Sequence, residues 1–410
     1  MANPEPTLEE AGLSFLSGDT FRNPDYFHAC ASKLRREDPV HWVEHDNFNP
    51  FWVLTKHADI LEVELHNNEF LNEPRAILGD KAADEMRAAQ GHMVKSLVQM
   101  DDPEHRDHRA LTAEWFLPKN LAKLDARLGE LSQRALKQMQ DFGGQCDFAS
   151  DIAMQYPLYV ILAIMGLPEK DYPTMLKLTQ EIFAPEDESF KRDENTLAGL
   201  MQTVAEIFAY FENITVERQA TPTDDLASVI ANGVINGCPI GKREQLGYYT
   251  IAATAGHDTT SNAMSGGLEA LIQFPDQLKR LQDDPSLMAT AVDEMIRWTT
   301  PVKHFMRTAT RDYELGGKTI KKGQDVLMSY WSANRDEDVF TDPFTFDIRR
   351  SPNPQIAFGY GTHMCVGTSV ARSTLSAVFG QLSQRVTDLR VVSEPDIEPN
   401  IFAPAVRRFD

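Results

Sequence analysis

Residues 358–372 of the 410-residue chain read FGYGTHMCVGTSVAR. Three glycines lie close to Cys365, and the segment leads directly into an apolar-periodic helix predicted over 368–386. Glycine permits a tight, left-handed backbone and the close approach of a loop to a ligand. Exposed N–H groups at a helix start favour the thiolate form of a preceding cysteine. The segment therefore predicts a metal-binding thiolate or, because free cysteine is usually buried and inert, a structural cysteine in a turn.

A second unusual stretch lies inside the longest predicted helix, over 242–274. Its middle, AGHDTT at 255–260, is rich in small and short polar residues, and Gly256 alone costs about 1 kcal/mol relative to alanine. Ala252 and Thr259 share one face at helical spacing. The pattern predicts a groove where a ligand approaches the helix, or hydroxyl bonds to the backbone that bend it. Both can hold together, because bending opens the groove.

Periodicity elsewhere indicates a mostly helical chain with a small sheet at one side. Further helices are predicted over 56–67, 121–142, 151–166 and 197–217. Short strands are predicted over 40–43, 51–55, 312–320 and 324–329. Gly316-Gly317 and Lys322-Gly323 suit hairpin turns within and between the last two of these strands.

The Cys365 segment resembles the haem-binding signature of the cytochrome P-450 family. Phe358, Gly361, Cys365 and Gly367 match its fixed positions. The resemblance covers nearly the whole chain and is closest to terpineol-oxidising members of the soluble bacterial branch. It implies one haem-thiolate monooxygenase domain over 1–410, mostly α with a small β region. A long helix would lie over haem b, and Cys365 would ligate the iron from a loop below it.

The resemblance also implies roles for residues far from the cysteine. Asp258 and Thr259 match an acid–alcohol pair, in which Thr259 holds a water and Asp258 passes protons inward from solvent. Glu294 and Arg297, on one helix face, match a structural ion pair, with Arg335 as the expected third partner. Four residues are implied partners of the haem propionates: His105, Arg109, Arg307 and His363. The other implied cofactor contacts are Phe358, Gly361, Gly367, Ala255 and Gly256.

The same resemblance suggests a small apolar substrate, such as a monocyclic monoterpene or an alkylbenzene. The expected substrate contacts are Ile251, Ala252, Val302, Phe305 and Phe402. Phe183 and the segment from Arg75 to Leu78 are expected to form a lid. Lys303 lies among these apolar positions, and the sequence leaves open whether it points away or meets a polar group. Apolar pockets discriminate weakly between substrates, so the sequence does not name one.

Composition limits the partners. The formal net charge of −21 disfavours binding to nucleic acid or to an anionic membrane. We find no flavin- or nicotinamide-binding fingerprint, so electrons from NAD(P)H are expected through a separate reductase and ferredoxin. A docking patch at Arg106, Arg109 and Arg372 is predicted, with a set of solvated arginines as the alternative. The four widely spaced cysteines and the acidic start of the chain predict a cytoplasmic protein.

Two other classes of function are alternatives to the monooxygenase. One is a haem-binding sensor or carrier without turnover, and the other is a peroxygenase or haem-thiolate isomerase. Gas binding alone needs no proton relay, so the Asp258–Thr259 pair argues against the first class. Relatives of the second class tend to lose the pair, which this chain retains.

Overall fold

The computed structural model describes residues 5–183, 196–386 and 388–410. Its α-helices are α1 Leu8–Leu13, α2 Gly18–Phe21, α3 Pro24–Glu37, α4 His57–Leu65, α5 Lys81–Gln90, α6 Glu104–Ala113, α7 Pro118–Leu121, α8 Asp125–Asp141, α9 Gln155–Ile164, α10 Tyr172–Phe183, α11 Thr196–Ala220, α12 Leu226–Ala231, α13 Lys242–Ala255, α14 Asp258–Gln273, α15 Pro275–Asp283, α16 Met288–Thr299, α17 Tyr330–Ala333 and α18 Thr368–Arg385. A π-helical turn over Ala149–Ala153 precedes α9. No helix within the described ranges has the length and apolar character needed to cross a membrane.

The strands are β1 Val40–His45, β2 Phe48–Leu54, β3 Phe70–Leu71, β4 Val234–Ile235, β5 Cys238–Pro239, β6 His304–Ala309, β7 Tyr313–Leu315, β8 Lys318–Ile320, β9 Asp325–Ser329, β10 Asp396–Ile397 and β11 Val406–Arg408. The main sheet has the order β1-β2-β9-β6-β3, in which β2 and β9 are parallel and the other neighbours antiparallel. The remaining strands form the antiparallel pairs β4-β5, β7-β8 and β10-β11.

The helical side of the molecule is built from amphipathic faces. In α8, Leu128, Leu131 and Leu136 recur at helical spacing and are buried. In α18, Leu375 and Phe379 are buried in the same core, and α18 packs along α8. Each such side chain contributes about 1.5–3 kcal/mol when fully buried. The predicted mostly helical fold with a small β region is therefore confirmed.

The expected continuous helix over 242–274 is interrupted. It forms α13 and α14, with Gly256 and His257 between them. Inside this break the Thr259 hydroxyl donates to the Ala255 carbonyl, at 2.7 Å. Such hydroxyl bonds to the preceding turn bend helices. A Cβ on Gly256 would lie 2.5 Å from Ile161 Cδ1, so α9 packs closely on the helix at this point and a larger residue would require the Ile161 side chain to shift.

The strand predictions hold in part. Gly316 and Gly317 have φ of +56° and +74° and form the β7-β8 turn, as predicted. The segment at Lys322-Gly323 is not a hairpin turn, because β9 pairs with β2 and β6 instead of β8. The sequence analysis missed β6, which lies between β9 and the edge strand β3 and carries Arg307.

Candidate active site

Cys365 lies at the end of a loop that glycines shape. Gly359 and Gly361 have φ of +69° and +63°, the left-handed region that favours glycine. A Cβ on Gly361 would lie 2.5 Å from the carbonyl oxygen of Glu64, so the loop packs directly on the end of α4. The Cys365 N–H donates to the Phe358 carbonyl at 2.9 Å, which closes the loop. The predicted Gly361 thus acts through this packing, and it does not line the cavity described next.

A cavity of about 270 Å³ lies between the loop and the two central helices. Cys365 lines it on one side, beside Phe358, His363 and Gly367. The opposite wall and its flanks carry Ile251, Ala252, Ala255, Gly256, Thr259, Val302 and Phe305. Most of these residues are apolar or small, so the cavity favours an apolar group beside the sulfur.

The thiol of Cys365 lies in a mixed environment. Burial raises its pKa above the ordinary value, while the Gly367 N–H, the Arg109 guanidinium and the Thr368 hydroxyl act to lower it. Bonding to a metal deprotonates a thiol outright. The free group is therefore protonated at neutral pH and becomes an anionic ligand when a metal binds.

Four predicted cationic or ionisable residues converge on the same cavity: His105, Arg109, Arg307 and His363. The rings of His105 and His363 lie 3.9 Å apart. Burial and then the Arg109 charge lower the pKa of His105 to about 4, and burial and then the Arg307 charge lower that of His363 to about 2. Within the described chain, His105 Nδ1 is buried without a hydrogen-bond partner. An orphaned ring nitrogen beside two guanidinium groups fits a ligand that carries anionic oxygen atoms.

These features suit haem b. Cys365 would hold its iron, and the apolar walls of the cavity would surround its ring. Its two propionates require donors, which Arg109, Arg307 and the orphaned His105 nitrogen provide. The donor set and the shape of the cavity therefore fit this cofactor.

Sequence analysis missed one charged group beside this cluster. Glu64, buried at the end of α4, accepts a hydrogen bond from Arg307 at 2.8 Å and another from the Tyr330 hydroxyl. The sequence did contain an indication of this residue, because Glu64 occupies a position on the apolar face of α4 next to Ile60 and Val63. A carboxylate at an apolar position of a periodic helix indicates a buried partner.

Thr259 and Asp258 lie at the break between α13 and α14. Thr259 lines the cavity, whereas Asp258 lies behind it and is 6% exposed. Asp258 Oδ1 accepts a hydrogen bond from Gln180 Nε2 at 2.6 Å, and its buried Oδ2 has no hydrogen-bond partner among the described residues. Gln180 Oε1 in turn accepts from Arg407 at 2.6 Å. Asp258 therefore has one fixed oxygen and one oxygen available to a water.

Glu294 and Arg297 form a fully buried, doubly hydrogen-bonded pair with both distances 2.7 Å. The prediction of Arg335 as the third partner is wrong. Arg335 donates to the carbonyls of Arg297 and Trp298 at the end of α16. The third partner is Arg350, whose Nε donates to both Glu294 oxygens at 3.1 and 3.2 Å. Arg335 lies two residues after the end of α17. From there its side chain reaches carbonyls in the last turn of α16, which have no N–H partner within that helix.

The structure answers the question about Lys303. Its Nζ donates to the Thr299 carbonyl at 2.8 Å and lies 3.7 Å from the Trp331 ring centroid, so it points away from the cavity. Phe402 does not line the cavity either, because its ring stands behind Phe305, with centroids 5.3 Å apart.

The segment from Arg75 to Leu78, predicted as part of a lid, does not cover the cavity in the structure. Arg75 is 2% exposed and pairs with Asp84 and Asp325, both at 3.0 Å, and Leu78 is buried as well. No residue of this segment lines the cavity. The side chain of Phe183 lies outside the described residues.

The three arginines of the predicted docking patch have different surroundings. Arg106 is exposed, and among the described residues its guanidinium contacts one carboxylate, that of its neighbour Asp107, at 3.5 Å. Arg109 lines the cavity and donates to the Met364 carbonyl. Arg372 is half-exposed and pairs with Asp293 at 2.7 Å.

Comparison with known proteins agrees with this geometry. The family model described as Cytochrome P450 matches residues 21–401. Cytochrome P450-terp from Pseudomonas sp is 38% identical, covering 90% of this chain and 89% of its own. Linalool 8-monooxygenase from Pseudomonas putida is 30% identical, covering 91% and 93%. The crystal structure of CYP108D1 from Novosphingobium aromaticivorans superposes with a TM-score of 0.92 at 36% identity, covering 99% of this chain and 98% of that one.

The thiol loop, the cationic cluster and the apolar cavity are thus found in a chain that matches the family along almost its whole length. Members of the family bind haem b through a cysteine thiolate, and one of the relatives above is named as a monooxygenase. The chain belongs to the cytochrome P450 family of oxidoreductases.

Proposed function

We propose that this protein inserts one atom of O₂ into a C–H bond of a small apolar substrate of terpenoid type, with electrons from NAD(P)H through a reductase and a ferredoxin. The observation that carries the proposal is the mostly apolar cavity next to Cys365. Two relatives, Cytochrome P450-terp and linalool 8-monooxygenase, support the terpenoid class. The steroid C26-monooxygenase of Mycolicibacterium smegmatis, 33% identical, makes steroids the class to test against it.

When bound, the haem supplies the oxygen-activating chemistry, and the chain controls what reaches it. Cys365 would hold the iron, and Arg109, Arg307, His105 and His363 would hold the propionates. Ile251, Ala252, Val302 and Phe305 would orient the substrate and exclude water. Buried apolar contacts of this kind contribute about 25 cal/mol per Å² of surface removed from water.

We propose that Thr259 and Asp258 deliver protons. Thr259 lines the cavity and would hold a water there, while the free Oδ2 of Asp258 would pass a proton to that water. Gln180 would keep Asp258 in place, because it fixes Oδ1 at 2.6 Å.

Spin-state titration tests the substrate class. Monoterpene alcohols should shift the haem spectrum at lower concentration than alkylbenzenes, fatty acids or steroids. Ala252→Leu, which narrows the cavity, should weaken the terpenoid response, whereas Phe402→Leu should leave it nearly unchanged because that ring stands behind Phe305. A tighter response to steroids than to any terpenoid would contradict the proposal.

Thr259→Ala tests proton delivery. We expect continued NAD(P)H consumption with much hydrogen peroxide and little product. Thr259→Ser keeps the hydroxyl and is the matched control, which should restore product formation. Tight coupling of NAD(P)H to product in Thr259→Ala would show that protons reach the site by another route.

We also propose that a ferredoxin docks near Arg106, Arg109 and Arg372. Its acidic surface would complement these charges in an otherwise acidic chain. Arg106→Glu should slow ferredoxin-dependent turnover and reduce its dependence on salt, whereas Arg22→Glu is a control of equal charge. Unchanged turnover and salt dependence in Arg106→Glu would reject the site.

The cytoplasm is the proposed location, on the evidence of four free cysteines, which suit a reducing compartment. Cell fractionation tests it, and recovery of the protein with the periplasmic or membrane fraction would reject it.

A further inference from the structure

Glu64 is a buried carboxylate that the functions above do not use. Its side chain is 2% exposed. Oε2 accepts a hydrogen bond from Arg307 at 2.8 Å, and Oε1 accepts one from the Tyr330 hydroxyl. Arg307 is in β6 and Tyr330 directly follows β9, and both line the cavity. Glu64 belongs to α4. The contact therefore joins α4 to the cavity wall across 243 residues of chain.

Fold stability alone gives no strong reason for this carboxylate. Removing two charges from water costs about as much as a buried ion pair returns, and well-packed apolar replacements are often as stable. Glu64 moreover occupies the apolar face of α4 beside Ile60 and Val63, where a leucine would pack. A charge at this place suggests a function.

Glu64 lies next to residues that would hold the haem. A Cβ on Gly359, in the Cys365 loop, would lie 3.5 Å from Glu64 Oε1. Arg307, the direct partner of Glu64, is one of the proposed partners of the haem propionates. Glu64 therefore lies against both the ligand loop and the propionate site.

Glu64 also changes the charge balance of the four-residue cationic cluster. The permanent cations of the cluster are its two arginines, Arg109 and Arg307. Because Glu64 pairs with Arg307, Arg109 is the permanent cation of this cluster that stays available to a propionate.

We propose that Glu64 is a positioning residue for the haem, which fixes the Arg307 guanidinium and adds a buried negative charge that lowers the reduction potential of the iron. Reduction adds an electron to the iron, so a nearby negative charge disfavours it. The interaction is only weakly screened, because protein surroundings act with an effective dielectric constant of about 20 in place of about 80. The inference rests on the proposed placement of the propionates against Arg307.

The test is a redox titration of the haem-loaded protein and of Glu64→Gln, which removes the charge and keeps the shape. We expect the reduced form to be favoured about tenfold more in Glu64→Gln, a rise of 59 mV for one electron. Glu62→Gln is the matched control, because Glu62 is on the same helix and also accepts from a tyrosine, Tyr313, but is 45% exposed. Its potential should equal that of the parent protein. Glu64→Asp keeps the charge and should restore most of the difference.

Transfer of haem to excess apomyoglobin gives a second readout. Glu64→Gln should release haem several-fold faster, because Arg307 loses its fixed orientation. If Glu64→Gln fails to hold haem, Tyr330→Phe decides, since it keeps both charges and removes one of the two hydrogen bonds to Glu64. Faster release from Tyr330→Phe supports the positioning role, and release at the parent rate overturns it.

A reduction potential in Glu64→Gln equal to that of the parent protein would overturn the electrostatic part of the proposal. A rise in Glu64→Asp as large as the rise in Glu64→Gln would overturn it as well. These outcomes are separate from failure of the proposed function. If the protein oxidises no terpenoid, the potentials can still differ as expected. If it does oxidise terpenoids while all four potentials agree, only the role of Glu64 is lost.

Discussion

Glu294→Gln should be among the most destabilising single substitutions in this protein. Glu294 is fully buried and accepts hydrogen bonds from Arg297, Arg350, the Asp347 N–H and the Asn353 amide. Both arginines keep their carbonyl partners in the variant, but they lose the only carboxylate that either contacts within the described chain. A glutamine also turns an N–H₂ group toward arginine donors, so at least one hydrogen bond is lost.

The expected loss follows from these contacts. Removing one partner of a buried ion pair costs about 3–5 kcal/mol, because the other charge stays buried and uncompensated. Arg297 is 0% exposed, which places the cost at the upper part of that range, while Arg350 is 10% exposed and can relax toward water. With a denaturant slope of about 4 kcal/mol/M for a chain of this size, the urea midpoint should fall by about 1 M.

Urea unfolding, followed by circular dichroism and by the Soret band, measures this loss. Asp141→Asn is the control for removal of a carboxylate, because Asp141 pairs with Lys137 on the surface of α8, where such pairs contribute about 0–1 kcal/mol. A loss of unfolding free energy below about 1 kcal/mol in Glu294→Gln would refute the argument that Arg297 is then buried without a compensating charge.

Three further predictions follow from other contacts. Lys303 is buried with no carboxylate partner among the described residues, and burial and the Arg335 charge hold its pKa well below the usual value. The unfolded state then binds more protons at pH values below its own pKa of about 10.4, so stability should rise as pH increases toward that value. Lys303→Met should be more stable at neutral pH and lack this slope in urea midpoints. Gly247→Ala should cost about 1–3 kcal/mol, because its Cβ would lie 1.8 Å from the Lys95 carbonyl oxygen. Gly129→Ala, within α8 and with no atom within 4 Å of its Cβ, should instead stabilise by about 0.5–1 kcal/mol, and equal effects in thermal unfolding would contradict this. Gln180→Leu should release Asp258 and raise the share of NAD(P)H lost as hydrogen peroxide, and Gln180→Glu should do the same, because it keeps the contact with Arg407 but has no N–H to donate to Asp258. Parent-like coupling in Gln180→Leu would remove Gln180 from the proposed proton route.

The sequence by itself determined the features that depend on neighbouring residues. The glycines around Cys365 require a tight loop before a helix, and that loop is present. The small residues at 255–260 required a close approach to the helix, and the break there meets both α9 and the cavity. Helical periodicity likewise placed most of α8 and α18, because an apolar face repeats within a few residues.

Only the tertiary structure decided which charged groups meet. Arg350 contacts Glu294 across 56 residues, Gln180 contacts Asp258 across 78, and Glu64 contacts Arg307 across 243. No local pattern selects such partners, since a buried charge takes whichever counter-charge or carbonyl the packing brings within about 3 Å. For the same reason the sequence analysis predicted Arg335 as the third partner and left Lys303 undecided. The side chains of Arg335 and Lys303 both end on backbone carbonyls of α16.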